Sequence, residues 1–247
     1  MQADEDNPLE SEGVANPGGA RGPDGELYLF PRLVAHGNYS RIGMARVRFD
    51  QNGEPMDVER LGIALEPDQP YEKNPFTGGG CEDARVTYVE PLKSYVMTYT
   101  AFSPLGPRVA LAVSQDLFNW TRLGLVHFAP AAGIDFDAVD NKDALIFPTL
   151  IENPGTGRPS LAIIHRPYLF FASQLAGVPL APGMPRRRAR SAHPSIWISY
   201  RDWPDTSGKL WSFGYHHRLL SPRTSWEQVK VGGGTPPLQT EHGWLIL

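Results

Sequence analysis

Short runs of apolar and β-branched residues recur along the chain, and glycine, proline or aspartate interrupts each of them. Amphipathic helices need longer stretches with a period of about 3.6 residues, whereas short runs bounded by turn residues are typical of β-strands. The clearest runs are residues 25–34, 40–49, 94–102, 108–114, 160–167 and 195–202. This pattern predicts an all-β chain.

Three segments share one layout: a strand-like run, an aspartate and a nearby aromatic residue. They are residues 41–50, 108–120 and 195–203. A weak repeat of this kind favours a β-propeller, built from four-stranded blades, over a β-sandwich, which does not explain the repeat. We therefore expect a single propeller domain over residues 1–247, with roughly three blades and a fourth beginning near Trp226. Because residues 240–247 read as an unfinished strand, we expect truncation in or after the fourth blade.

The composition excludes several classes of protein. The chain has 23 Lys and Arg against 27 Asp and Glu, a net charge of −4, whereas general nucleic-acid binders carry a basic excess. No run approaches the ~18 apolar residues that a membrane-spanning helix needs. The N-terminal segment is acidic and polar, unlike a secretory signal. Cys81 is the single cysteine and cannot form an internal disulfide, so we expect a cytoplasmic protein. The net charge and the lack of a long apolar run lead us to expect no nucleic-acid or membrane partners.

Two segments are typical of loops. Residues 179–194 combine prolines with Arg186, Arg187, Arg188 and Arg190. This segment is either a solvated insertion or a contact for an acidic substrate, a partner or another subunit, so a homo-oligomer stays open. Residues 135–143 are acidic but lack the glycine and final glutamate of a calcium-binding loop, and we expect no metal there.

The residues that could do chemistry are charged groups within strand-like or Gly/Pro-flanked runs, where burying a charge is costly unless it is paired or solvated. A structural ion pair explains any one of them. Together they suggest a site, because propeller strands bring their ends to one central cavity. The set comprises Arg32, Arg41, Glu82, Asp83, Arg85, Arg108, Asn141, Lys142, Asp143, His165 and Arg166. Cys81 lacks a visible catalytic partner and reads as a small buried residue.

Seven segments occur in the order typical of one enzyme family and span nearly the whole chain. They are Asn16-Pro17-Gly18, residues 40–45, Glu82-Asp83-Ala84-Arg85, residues 108–124, Lys142-Asp143-Ala144 with the LIFP tail, His165-Arg166-Pro167, and residues 232–244. In these segments the chain resembles glycoside hydrolase family 130, the β-mannoside phosphorylases and related enzymes. The chain departs from the family at Ala84, where proline is usual, and ends at Leu247 before the family's Tyr-His-Gly motif and last blade.

The resemblance implies a five-bladed propeller that cleaves β-mannosidic bonds of manno-oligosaccharides with inorganic phosphate, inverts the anomeric centre and yields α-mannose 1-phosphate. It implies that Asp83 is the general acid, acting through the mannose 3-hydroxyl. It implies a phosphate site of Arg108, Arg122, Lys142 and His165. The candidate substrate-binding residues are Asn16, Arg32, Ser40, Arg41, Glu82, Asp143 and Arg166. No metal or organic cofactor is expected; phosphate is a co-substrate.

General chemistry fits this assignment. An inverting enzyme needs an acid on one face of the sugar and a nucleophile on the other, and a phosphate nucleophile calls for cations instead of a second carboxylate. Glu82 neighbours the acid, but alternation along a strand would point its side chain away from Asp83. Two alternatives stay open: an inverting β-mannosidase of the same fold, and a sugar-binding or inactive propeller fragment.

Overall fold

Two compact units, Met1–Leu125 and Val126–Leu247, make up the chain in a computed structural model, and each is described by itself. The structure describes residues 1–75, 78–169, 193–205, 211–227 and 229–247. Regular structure in these ranges consists of β-strands and short 3₁₀ turns. The all-β prediction is therefore confirmed.

The first unit contains two antiparallel meanders of four strands each. The strands of the first meander are β1 (Gly13–Arg21), β2 (Leu27–Ala35), β3 (Tyr39–Phe49) and β4 (Pro55–Leu65). The strands of the second are β5 (Gly79–Val89), β6 (Ser94–Ser103), β7 (Gly106–Ser114) and β8 (Thr121–Leu125). Each meander has the up-and-down order of a propeller blade.

A parallel pairing of β3 with β5 joins the two meanders, with Tyr39 opposite Gly79 and Ser40 opposite Gly80. Gly80 has φ +108°, and a Cβ atom there would lie 2.1 Å from the Ser40 carbonyl oxygen. Only glycine tolerates both this backbone conformation and this close approach. The glycines that precede Glu82 therefore bring the second meander against the first.

The core of the first unit lies between its strands and is built from alternating apolar positions. Phe30, Ile42 and Met97 are fully buried. Trp120 packs edge-on against Phe30, with ring centroids 5.6 Å apart. This packing fixes the strands whose ends carry the candidate residues.

The second unit is built around one further meander. Its strands are β9 (His127–Phe128), β10 (Asn141–Ile146), β11 (Ile151–Glu152), β12 (Pro159–Pro167), β13 (Ile196–Asp202) and β14 (Ser212–Leu220). The sheet order is β10-β12-β13-β14, with β9 parallel to β14 and β11 antiparallel to β12. A hairpin of β15 (Leu238–Thr240) and β16 (Gly243–Leu245) packs on this unit, where Trp244 meets Phe147 edge-on at 5.0 Å.

The three repeated segments occupy the same place in their meanders. Residues 41–50 cover β3, residues 108–120 cover β7, and residues 195–203 cover β13, and each of these is the third strand of its meander. Two of the aspartates in these segments accept local hydrogen bonds; Asp116, for example, accepts from the backbone N–H groups of Phe118 and Asn119, both at 2.8 Å. The repeat thus marks equivalent strands.

The first strand of each meander contains a β-bulge at a matching position. The register shifts between Ala15 and Gly18 in β1, between Glu82 and Arg85 in β5, and between Lys142 and Leu145 in β10. Inside these bulges Asn16, Asp83 and Asp143 have φ values of +45°, +52° and +54°. Left-handed backbone is uncommon for residues other than glycine and is concentrated at functional sites.

The prediction for the arginine-rich segment concerns residues that the structure does not describe. Residues 179–192, which include Arg186 to Arg190, lie outside the described ranges, so both interpretations of this segment stay open. Trp226 lies in a 3₁₀ turn, Ser225–Glu227, that precedes the hairpin. Among the residues that the structure describes, no helix has the length and apolar character to cross a membrane.

Candidate active site

Asp83 lies at the bulge of β5, where the extra residue and the positive φ turn its side chain toward β1. The Asn16 side chain, from the bulge of β1, donates from Nδ2 to Oδ1 of Asp83 at 2.9 Å. A Cβ at Gly18 would lie 2.5 Å from the Ala84 carbonyl oxygen, so the Asn-Pro-Gly segment packs directly on the Asp-Ala bulge. Two of the predicted motifs therefore meet at the predicted acid.

Arg32 of β2 is the centre of the polar contacts around Asp83. Its Nη2 lies 2.9 Å from Oε1 of Glu82 and its Nη1 lies 3.6 Å from Oδ1 of Asp83. Its Nε donates to Ser40 Oγ at 2.8 Å, and its Nη2 to Asn38 Oδ1 at 3.1 Å. One guanidinium group thus orients two carboxylates, a hydroxyl and an amide.

The expectation that Glu82 points away from Asp83 is wrong. Both carboxylates reach the same guanidinium group of Arg32, because the bulge interrupts the strand alternation between residues 82 and 85. Glu82 is buried and its contact with Arg32 is an ion pair. Its role in substrate binding stays a prediction.

Arg41, predicted to bind mannose, is ion-paired in this structure. Its Nε donates to Glu66 Oε1 at 2.6 Å, and its guanidinium carbon lies 5.3 Å from the centroid of the Tyr39 ring. Ser40, the preceding residue, is fully buried beneath Arg32. The structure therefore gathers Asn16, Arg32 and Ser40 with Asp83 and holds Arg41 through Glu66.

Arg122, predicted to bind phosphate, is held by a buried carboxylate that the sequence analysis missed. Its Nε donates to Oε1 of Glu72 at 2.9 Å, and the Tyr99 hydroxyl donates to the same oxygen at 2.6 Å. Glu72 is fully buried. Its second oxygen accepts backbone N–H groups of Asp68 and Gln69, both at 3.1 Å. A single glutamate in a loop has no motif around it, so the sequence offered no signal for it.

The charges in this cluster support one another. Burial opposes the charged form of Arg122, but the hydrogen bond and negative charge of Glu72 outweigh it and raise the pKa of Arg122. Burial and the charge of Glu72 also raise the pKa of Tyr99, which therefore stays a hydrogen-bond donor. Arg108, the other predicted phosphate residue of this unit, is half-buried and donates from Nη1 to the Pro107 carbonyl at 2.9 Å.

Cys81 lies beside this cluster and is fully buried. Burial, followed by the charge of Glu72, raises its pKa well above the ordinary value for a thiol. A protonated buried thiol is a poor nucleophile. This agrees with the interpretation of Cys81 as a small buried residue.

In the second unit, the bulge of β10 presents Lys142 and Asp143. Arg166, almost fully buried on β12, donates from Nε to Oδ2 of Asp143 at 2.7 Å. Lys142 lies opposite Arg166 in the strand register and is half-buried. Within the described residues no carboxylate lies at ion-pair distance from Lys142. Its role in phosphate binding stays a prediction.

The fourth predicted phosphate residue, His165, is fully buried on β12. Its Nδ1 lies 2.9 Å from Asn141 Nδ2, and its Nε2 lies 2.7 Å from Ser199 Oγ. Burial, and then the neighbouring His216, hold the pKa of His165 well below its usual value. The ring is therefore neutral at neutral pH and, unlike Arg108, Arg122 and Lys142, adds no positive charge here. Contact with phosphate stays a prediction.

Among the described residues no three or more His, Cys, Asp or Glu side chains are grouped to hold a metal ion. In the acidic segment 135–143, Asp137 accepts the backbone N–H of Phe128 at 2.7 Å.

Comparisons with known proteins connect this geometry to a family. No protein-family model matches the chain. The "Beta-1,2-mannobiose phosphorylase" of Listeria innocua is 33% identical over 178 residues, 72% of this chain and 38% of that protein. The "1,2-beta-oligomannan phosphorylase" of Thermoanaerobacter sp. is 29% identical over 233 residues, 91% of this chain and 60% of that protein. The chain thus spans less than two thirds of the length of both.

Solved structures agree on the fold. A complex of the Listeria innocua β-1,2-mannobiose phosphorylase with β-1,2-mannobiose matches with a TM-score of 0.62 at 24% identity, covering 100% of this chain and 74% of that chain. A structure described with the GH130 mannoside phosphorylases and hydrolases matches with a TM-score of 0.60 at 22% identity, covering 100% of this chain and 66% of that chain.

Together the comparisons confirm the propeller-type fold class and the predicted resemblance to glycoside hydrolase family 130. The number of blades stays a prediction.

Proposed function

We propose that the protein is an inverting phosphorylase that cleaves β-mannosidic bonds with inorganic phosphate and releases α-mannose 1-phosphate. The observation that carries the proposal is the way Asp83 is held. Its Oδ1 accepts a hydrogen bond from Asn16 Nδ2 at 2.9 Å and lies 3.6 Å from Nη1 of Arg32. A carboxyl group held this way, at a left-handed bulge residue, has one orientation from which to deliver a proton.

In the proposed reaction a phosphate oxygen attacks the anomeric carbon of mannose from the face opposite the leaving group. The bond from this carbon to the glycosidic oxygen breaks, and the proton of Asp83 goes to that oxygen, by way of the mannose 3-hydroxyl as the family resemblance implies. The electron pair of the broken bond stays on the leaving oxygen. A proton from phosphate or solvent returns to Asp83.

The positively charged residues support phosphate as the nucleophile. A hydrolase of this type needs a carboxylate base to activate water. Lys142 is instead a half-buried cation with no carboxylate at ion-pair distance among the described residues. We propose that Lys142, together with the predicted residues Arg108 and Arg122, binds phosphate.

The relatives narrow the proposed substrate. Both curated phosphorylases reported above are named for β-1,2-linked mannosides. We therefore propose β-1,2-linked manno-oligosaccharides as the substrates, which the sequence alone left open between β-1,2 and β-1,4 linkages.

The stereochemistry of the product tests this proposal. Incubation with β-1,2-mannobiose and inorganic phosphate, followed by proton and phosphorus NMR, should show α-mannose 1-phosphate and one equivalent of mannose. A β-configured sugar phosphate would contradict inversion. A specific finding favours the hydrolase as the second candidate, because one matching structure is described with family hydrolases that target β-1,2-mannosidic linkages.

A further inference from the structure

A continuous chain of hydrogen bonds runs through the interior of the second unit. His216 Nε2 lies 2.6 Å from the Ala129 carbonyl oxygen, and His216 Nδ1 lies 2.6 Å from Ser199 Oγ. Ser199 Oγ lies 2.7 Å from His165 Nε2, and His165 Nδ1 lies 2.9 Å from Asn141 Nδ2 and 3.1 Å from Asn141 Oδ1. All four side chains are at most 2% exposed.

The carbonyl group at one end decides the direction of every bond. A carbonyl oxygen only accepts, so His216 carries its proton on Nε2 and, when neutral, accepts on Nδ1. The Ser199 hydroxyl donates to that nitrogen, and having a single hydrogen it must accept from His165 Nε2. The neutral His165 ring then accepts on Nδ1 from the Asn141 amide. Both histidines therefore have the Nε2–H tautomer.

Aromatic side chains pack on the two histidine rings of this hydrogen-bond network and shield them from water. Phe128 stacks on His165 with ring centroids 4.2 Å apart, and Phe136 packs on His216 at 4.3 Å. Burial lowers the pKa of His216 to about 4, which agrees with a neutral ring. A buried hydrogen-bonded network of this kind holds its members in one arrangement.

The hydrogen-bond network ends at Asn141, next to the candidate phosphate residues. Asn141 is the first residue of β10, and it is followed at once by Lys142 and by the bulge at Asp143. With both ring nitrogens of His165 engaged, the ring transmits a hydrogen bond to Asn141 instead of presenting an N–H group to a ligand. Residues behind a binding group commonly fix its orientation in this manner.

We propose that Ser199 and His216 are positioning residues: through His165 they hold the Asn141 side chain, and with it the start of β10 that presents Lys142 to phosphate. The proposal rests on the proposed phosphorolysis. It assigns to His165 a positioning role in place of direct contact with phosphate.

Kinetics of matched variants test the role in phosphate binding. Ser199→Ala should raise KM for phosphate roughly tenfold, an effect typical of lost outer-shell partners, while kcat at saturating phosphate changes less than KM. Ser195→Ala is the control. Ser195 is also buried, and its hydroxyl is hydrogen-bonded to Ser221 Oγ at 3.0 Å, but it takes no part in the hydrogen-bond network of His216, Ser199, His165 and Asn141. The double variant Ser199→Ala/His216→Gln should lose no more than about the larger single loss, because both changes break one chain.

Nitrogen-15 NMR of the His165 and His216 rings tests the hydrogen-bond network itself, in the unaltered protein and without substrate. Both rings should show the Nε2–H tautomer at pH 7. An Nδ1–H tautomer at either ring, or equal effects of Ser199→Ala and Ser195→Ala on KM for phosphate, would overturn the inference. If the unaltered protein shows no phosphate binding by calorimetry and no phosphate-dependent turnover, the proposed function fails and the positioning role falls with it. That result differs from the others because it appears before any substitution.

Discussion

At the scale of single residues, the carboxylate of Asp83 is oriented by an amide and a guanidinium group that reach it from β1 and β2. Asp83→Asn keeps the oxygen that accepts from Asn16 and removes the transferable proton. We expect formation of mannose 1-phosphate to fall by roughly 10²- to 10⁴-fold, the usual contribution of a general acid.

The matched control for this loss is Asp57→Asn on β4, where the side chain is exposed and accepts only a local backbone hydrogen bond at 2.7 Å. Its rate should stay within about twofold of the unaltered protein. Unchanged activity of Asp83→Asn, measured as mannose 1-phosphate released, would remove Asp83 from the mechanism.

Two tyrosines on β6 test how strongly the hydrogen bond to Glu72 stabilises the fold. Tyr99 donates to the buried Glu72 carboxylate at 2.6 Å, whereas Tyr95 donates to the Arg21 carbonyl at 2.9 Å. Hydrogen bonds to charged groups contribute about 1.5–3 kcal/mol and neutral ones about 0.5–1.5 kcal/mol. In urea unfolding, Tyr99→Phe should therefore lower the free energy of unfolding more than Tyr95→Phe does. Equal losses would mean that the hydrogen bond from Tyr99 to Glu72 stabilises the fold no more than the bond from Tyr95 to a backbone carbonyl.

At the scale of the elements, the approach of β5 to β3 depends on Gly80. Gly80 and Gly62 have nearly equal φ values, +108° and +109°, but a Cβ at Gly80 meets the Ser40 carbonyl oxygen at 2.1 Å while a Cβ at Gly62 meets nothing within 4 Å. Gly80→Ala should destabilise the fold by about 2–5 kcal/mol, from strain plus overpacking. Gly62→Ala should show the strain alone, about 1–3 kcal/mol.

Thermal and urea unfolding of the two glycine variants measure this difference. If Gly62→Ala were as harmful as Gly80→Ala, backbone strain would account for both losses. The contact between the meanders at Ser40 would then not be what requires glycine at residue 80.

The elements also show what a sequence can and cannot predict. The repeated layout correctly marked strands, and the structure places each of them third in its meander, because strand alternation and the following aspartate are local signals. The bulges at Asn16, Asp83 and Asp143 were not predicted, since a one-residue register shift leaves no pattern in a single sequence. That omission produced the wrong direction for Glu82. Glu72 and the burial of His165 were missed because both depend on contacts between distant segments.

At the scale of the whole molecule, buried neutral histidines make stability depend on pH. Burial lowers the pKa of His216 to about 4, opposed by its bond to the Ala129 carbonyl, while His217, Asp137 and His127 exert smaller effects. Between the ordinary pKa of 6.5 and about 4, the unfolded chain binds a proton that the folded protein does not. Stability therefore falls as the pH drops through this window, by roughly 3 kcal/mol for this residue.

The measurement for this prediction is urea unfolding at pH 7, 6, 5 and 4. His216→Gln should be less stable than the unaltered protein at pH 7 but should lose less stability on going to pH 4. A parallel decline in both proteins would show that His216 is not the residue that titrates.

Turnover of β-1,2-mannobiose with and without inorganic phosphate distinguishes phosphorolysis from hydrolysis. Free mannose and mannose 1-phosphate are measured separately in each sample. We expect mannose 1-phosphate to form when phosphate is present and turnover to stop when phosphate is removed. Release of free mannose alone, at a rate that phosphate does not change, would contradict phosphorolysis and identify a hydrolase.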